Sequence, residues 1–243
     1  MNDRGQSMRA VAARVLQSVE NGQSLTQCLP PALNDVADNE RPQLQALCYG
    51  TCRWFHRLDA ELQARLKKPL RKPDRIAHHL MLVALFQLRF SQQANYAVLN
   101  ETVEACRGLD KPHLTGLVNG VLRAAEREGE PAWPDDSARF SHPRWMLEKL
   151  RHNWPDDWQA ILDANNAQAP MTLRVNGRRF SRDDYLQLLA DAGIDAAATA
   201  FAPFGIQLAS PVPVDRLPWF ADGAVSVQDE AAQLCTTVMD LVP

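Results

Sequence analysis

No apolar run of the roughly 18 residues a membrane-spanning helix needs occurs in this chain of 243 residues. The opening MNDRGQSMRAVAARV places charges where an export leader requires an unbroken apolar stretch, so a cytoplasmic protein with no membrane partner is expected. Cysteine is sparse. Its five positions, Cys28, Cys48, Cys52, Cys106 and Cys235, are odd in number and widely scattered, which excludes a disulfide framework and leaves reduced thiols as the expectation. Also missing are a G-x-S-x-G nucleophile elbow and any glycine-rich loop that follows a strand, so the phosphate-loop and dinucleotide-loop readings fail for want of context.

A large positive balance is absent too, since the formal net charge is −3. That average hides an asymmetry. Residues 1–130 hold 17 Lys and Arg against 14 Asp and Glu, whereas residues 131–243 hold 9 against 15. Most of the excess sits at Arg65, Lys67, Lys68, Arg71, Lys72 and Arg75, relieved only by Asp74. A phosphate backbone is bound by such a local field more than by a basic protein as a whole.

What is present is helical periodicity. Met8, Val11, Ala12, Val15, Leu16 and Val19 form the one-sided stripe of an amphipathic helix, which Gly22 would end. Ser24 with Gln27 reads as a capping box opening a second helix, and Pro42 suits the first turn of a third through Leu44, Leu47 and Cys48. Helical spacing continues over 74–90, 96–107 and 112–128, so residues 1–130 are expected to form an all-α domain. The stretch EGEPAWPDD has the composition of a boundary, and 131–136 is assigned as a linker. Two short helices over 143–153 and 156–167 then precede a strand over 171–176, a helix capped by Ser181 and ending at Gly193, and β-like runs at 205–209 and 224–227. Residues 137–227 thus read as an α+β module of β-α-β-β order, followed by a helix from Asp229 to Leu241.

Several constellations invite a chemical reading and fail it. Cys48, Cys52 and His56 share a helical face, yet eight residues of helix rise about 12 Å while zinc ligands sit about 3 to 4 Å apart, so no metal site is assigned. His78 and His79 are adjacent and diverge by about 100° around a helix. Glu101 and Glu104 read as a salt-bridging helix face. Gly116 and Gly120, in GLVNG, are expected to serve close helix packing. No catalytic or cofactor-binding residue is assigned within the chain.

Segments in register resemble one family, the bacterial rRNA cytosine-C5 methyltransferases called RsmB, Sun or Fmu, whose N-terminal domain is similar to the antitermination factor NusB. They are LCYGTCRW from Leu47, HHLMLVALFQLRF from His78, NETVEACR from Asn100, GLVNGVLR from Gly116, HPRWMLEKLRHNWPDDW from His142, ILDANNAQAPMTLRVN from Ile161 and VSVQDEAAQL from Val225. Two departures stand out: QQANYAVLNE replaces a Pro-containing turn before Glu101, and the family's cofactor loop and its two reacting cysteines find no counterpart in this sequence.

The resemblance implies a mainly α fold: a NusB-like RNA-binding bundle over 1–130, a connecting RNA-binding module over 137–227, and, over 228–243, the leading helix of an absent Rossmann-like domain. It implies S-adenosylmethionine as the parent's cofactor, none bound to this chain, and small-subunit rRNA as partner. The family's thiolate would attack C6 of the cytosine so that C5 takes the methyl group. None of the five cysteines here inherits that role. Charge and placement nominate Arg53, Arg65, Lys67, Lys68, Arg71, Lys72, Arg75, Lys111, Arg123 and Arg174 as RNA-facing. The uncovered helix from Asp229 is expected to dock on the module through an apolar face or to pair with a second chain. A non-enzymatic NusB-like RNA or protein interaction module in transcription control explains residues 1–130 equally well, but gives no role to ANNAQAPMTLRVN or VQDEAAQL.

Overall fold

The computed structural model describes residues 7–239, which fall into two compact units divided between Asn166 and Ala167. The fold is mainly α. In the first unit α1 (Met8–Glu20), α2 (Leu25–Ala32), α3 (Arg41–Arg53), α4 (Phe55–Gln63), α5 (Arg75–Phe90), α6 (Asn95–Gly108) and α7 (Thr115–Glu128) make the bundle, joined by the short α8 (Asp136–Phe140), α9 (Arg144–Asn153) and α10 (Trp158–Asn166). Gly22 follows α1 at φ 97°, a conformation open to glycine, and the Ser24 amide donates to Gln27 Oε1 at 3.1 Å at the start of α2. No helix among the described residues is long and apolar enough to cross a membrane.

α5 is the axis of this unit because its sequence is apolar on all sides: Ile76, Ala77 and every residue from Leu80 to Leu85 are buried. One core cluster joins α5 to Leu58 and Leu62 of α4, Val98 and Leu99 of α6, and Val118, Val121 and Leu122 of α7. A second joins Val83 to Val11, Val15 and Leu16 of α1, Leu29 of α2, and Leu44 and Leu47 of α3. Gly50 on α3 lets α5 approach, since a Cβ there would lie 2.0 Å from the Phe86 ring. Truncating a fully buried leucine such as Leu82 should cost about 2–5 kcal/mol.

Three elements differ from the sequence reading. α4 is a separate helix, broken from α3 at Trp54 with no glycine or proline to announce it. The stretch read as a linker is strapped down: Arg57 of α4 binds Glu130 through Nε at 2.9 Å and stacks 4.6 Å over the Trp133 ring. Ser141 Oγ donates to the Arg53 carbonyl at 3.1 Å, so α8 packs on α4 and, with α9 and α10, lies in the first unit, whereas the sequence placed these helices after the boundary. Gly116 and Gly120 do not pack against another helix: both are exposed, and a Cβ at either would meet nothing within 4 Å.

The second unit is an antiparallel sheet of order β2-β3-β1-β4 formed by β1 (Thr172–Val175), β2 (Ala196–Ala198), β3 (Gly205–Leu208) and β4 (Val225–Val227), with α11 (Arg182–Asp191) between β1 and β2 and α12 (Glu230–Val238) last. Its order is therefore β-α-β-β-β. Leu173 and Val175 alternate inward against Tyr185 and Leu189 of α11, and the Tyr185 hydroxyl donates to Pro218 O at 2.7 Å. The docking expected of α12 is made by polar groups. Gln233 Nε2 donates to Leu173 O and Gln228 O at 3.3 and 3.0 Å, and Glu230 accepts from the Phe201 and Ala202 amides. Most of the apolar face that was to dock, including Ala231, Ala232, Cys235 and Val238, is exposed; Leu241 lies outside the described residues.

Candidate nucleic-acid interface

The nominated cations divide by whether their charge is already used. Arg65 begins the loop between α4 and α5, and its side chain is only 7% exposed. Its Nη2 donates to Gly129 O at 2.6 Å, its Nη1 to Glu61 O at 3.0 Å, and the Glu61 carboxylate lies 3.4 Å away. Arg65 is thus a structural residue, because a buried carboxylate must be neutralised, and it is withdrawn from the RNA-facing set. Arg75 closes the loop on Glu20, with Nε 3.0 Å and Nη2 2.5 Å from Oε1, and this pairing lowers the Glu20 pKa and raises that of Arg75. Lys111 Nζ lies 3.3 Å from Asp74, and Arg123 Nε donates to Asn119 Oδ1 at 3.1 Å.

Between those anchors Lys67, Lys68, Arg71 and Lys72 are exposed, and none has an ion-pair or hydrogen-bond partner for its side chain among the described residues. The loop therefore presents four uncompensated charges from a backbone fixed at both ends. Arg53, at the end of α3, is exposed with its guanidinium unpaired. Arg174 belongs to the second unit, on β1.

Around Arg174 lies a cleft of about 530 Å³ lined by Val175, Asn176, Gly177, Arg178, Phe204, Gly223, Val225 and Ser226. Asn176 ties its rim together, donating from Nδ2 to Gly223 O at 3.0 Å while its Oδ1 accepts from the Arg178 amide at 3.2 Å. Arg178 was not nominated from sequence; the signal available was the basic pair in NGRR immediately after the strand.

Among the described residues, the other titratable groups with shifted values or close partners are accounted for by burial and pairing. Burial pushes the Cys48 and Cys52 thiols up to about 12 and about 11, and burial also raises Cys106, the opposite of what a thiolate nucleophile needs. His78 Nε2 is 2.8 Å from Asp59 and His79 Nε2 is 3.2 Å from Glu20, so the adjacent histidines address different carboxylates. Glu101 pairs with the buried Arg9 and Glu104 with Arg107. No group of three or more potential metal ligands occurs among the described residues.

Comparison with known proteins supplies the context. A family profile described as "NusB family" matches residues 6–127, and one described as "Methyltr_RsmF/B-like, ferredoxin-like domain" matches 142–215. Proteins named "Ribosomal RNA small subunit methyltransferase B" are similar: that of Pseudomonas putida KT2440 is 45% identical over 240 residues, covering 97% of this chain and 55% of the relative. That of Klebsiella pneumoniae strain 342 is 40% identical over 233 residues, covering 94% and 54%. That of Escherichia coli strain SE11 is 40% identical over 235 residues, covering 95% and 55%. The chain thus spans about half the length of these curated relatives. The crystal structure of PH0851 shares the fold at a TM-score of 0.69 and 15% identity, over 98% of this chain and 56% of that one.

Proposed function

The chain belongs to the NusB family, and on that premise we propose that it is the RNA-gripping and substrate-positioning region of an S-adenosylmethionine-dependent methyltransferase acting on a cytosine C5 of small-subunit rRNA. The observation that carries the grip is the α4–α5 loop, whose Lys67, Lys68, Arg71 and Lys72 are exposed and unpaired while Arg65 and Arg75 hold its ends. A charge already matched to a carboxylate has little left for a phosphate, so binding falls to the four in the middle rather than to the whole basic cluster. Arg53 is a further phosphate ligand of the same unit. Lys111 and Arg123 have weaker claims, since each already holds a partner.

The cofactor named in this reading does not fit the described residues. A cofactor crevice at a topological switch point needs parallel strands and a tight glycine turn feeding a helix, whereas the sheet here is wholly antiparallel. No step of methyl transfer is therefore assigned to a side chain of this chain, and its role is affinity and register. Replacing Lys67, Lys68, Arg71 and Lys72 together by Ala should weaken binding of a small-subunit rRNA fragment. It should also flatten the plot of log affinity against log salt by about 0.7 to 0.9 per lost contact. An unchanged slope, with the variant folded, refutes the loop as the grip.

A further inference from the structure

Resting on the reading of this chain as RNA-binding, we infer that the cleft at the end of β1 and β4 holds one unpaired RNA nucleotide, its base against Phe204 and its phosphate on Arg174 and Arg178. The volume of about 530 Å³ falls within the roughly 300–1,000 Å³ of small-ligand sites. Its lining contains two arginines and no carboxylate, and neither guanidinium has a partner among the described residues. Arg174 lies in register with Ser226 on β4 and Gly205 on β3, so the arginine stands between a hydroxyl and a bare backbone on a face where alternate residues leave the core.

Phe204 is the second half of the site. It lines the cleft beside both arginines and stays 40% exposed, so one side of the ring is open to a ligand. The position is held: a Cβ on Gly177 would lie 2.5 Å from Phe204 Cε1, so only glycine lets the ring lie against that turn. The turn is itself fixed by the two Asn176 side-chain bonds. A fixed, partly open ring beside two unspent guanidiniums matches the recognition of unstacked bases, which stack on aromatic rings while arginine takes the phosphate. A duplex, whose bases are already stacked and paired, offers nothing to the ring.

The test uses the whole chain and a single-stranded RNA pentamer carrying 2-aminopurine at its centre. The wild-type protein should quench the fluorescence saturably. Phe204→Leu, which keeps an apolar side chain over Gly177, should abolish the quench and weaken binding by about tenfold. Arg174→Ala with Arg178→Ala should flatten the salt slope by up to about 0.7 per lost contact on a single strand. The quadruple loop variant should keep the quench at saturation. A wild-type protein that does not quench, a quench that survives Phe204→Leu, or equal affinity for a pentamer with a central abasic site overturns the nucleotide cleft. If only the loop variant alters the salt slope on rRNA, the cleft falls and the loop grip stands; if only the cleft variants do, the loop grip falls instead.

Discussion

Arg65 and Lys67 are two positions apart in one basic run, and their surroundings give them different work. Arg65 is 7% exposed against a Glu61 side chain that is fully buried, and Arg89 completes the set with Nε at 3.2 Å and Nη2 at 2.5 Å from the same carboxylate. Removing one member of a buried charge set leaves the others unpaired at a cost of about 3–5 kcal/mol. Glu61→Ala, or Arg89→Ala, should therefore lower the unfolding free energy obtained from chemical denaturation by that order. Arg65→Ala should shift in the same direction, and an Arg65→Ala protein of unchanged stability that binds RNA more weakly would restore this residue to the interface. Gly120 makes the contrary point. It stands exposed inside α7 with nothing within 4 Å of a Cβ, so Gly120→Ala should raise stability by about 1 kcal/mol through helix propensity. A fall in thermal midpoint would mean that the residue has a packing role after all.

At the scale of elements, α5 was legible because a run from Ile76 to Leu85 with scarcely a polar residue reads as a buried helix, and β1 because Leu173 and Val175 alternate with polar neighbours. Other elements left no such trace. β2 is three alanines, a residue poor in strand preference, and its pairing with β3 supplies what its composition does not. The break between α3 and α4 falls at Trp54 with no breaker residue, and the strap over 129–136 depends on Arg57, some seventy positions away, which no local pattern can announce. The four-residue spacing of Gly116 and Gly120 imitates a packing stripe, but the buried face of α7 is made by Val118, Val121, Leu122 and Ala125. The candidate cations were visible by type, but which of them were spent on Glu20, Glu61 or Asp74 was not, since those carboxylates belong to separate elements. One consequence belongs to α5 as an element. Burial holds His79 below the ordinary histidine value of 6.5, opposed by the charge of Glu20 and by the hydrogen bond to the Arg75 carbonyl, and assisted by the charges of His78 and Arg75. The unfolded chain takes up this proton first, so the contribution is complete above about pH 6.5 and is lost as pH falls through the lower folded value. Denaturation curves at falling pH should show stability declining from that point, and His79→Asn should lessen the decline. An equal decline in the variant would place the acid sensitivity elsewhere, with His56, also lowered by burial, the next group to test.

For the whole molecule, the proposed separation of grip from chemistry has a measurable consequence. A fold that transfers a methyl group to cytosine C5 needs a cofactor crevice and a thiolate poised to add to the base. The described strands are all antiparallel, and the thiols of Cys48, Cys52 and Cys106 are driven by burial toward the protonated form. Binding RNA makes no such demands, since free cations on a fixed loop and an open cleft beside a ring suffice. Residues 1–243 should therefore bind a small-subunit rRNA fragment, give no saturable heat with S-adenosylmethionine in calorimetry, and transfer no labelled methyl to that RNA. A full-length relative, roughly twice as long, serves as the positive control under the same conditions. Saturable cofactor binding by residues 1–243 would mean that the antiparallel module makes a crevice of a kind its strand order does not suggest. Methylated cytosine would mean that one of the five thiols, of which Cys48 and Cys106 are buried and Cys235 exposed, serves as the nucleophile, and Cys→Ser replacement at Cys28, Cys48, Cys52, Cys106 and Cys235 in turn would identify which.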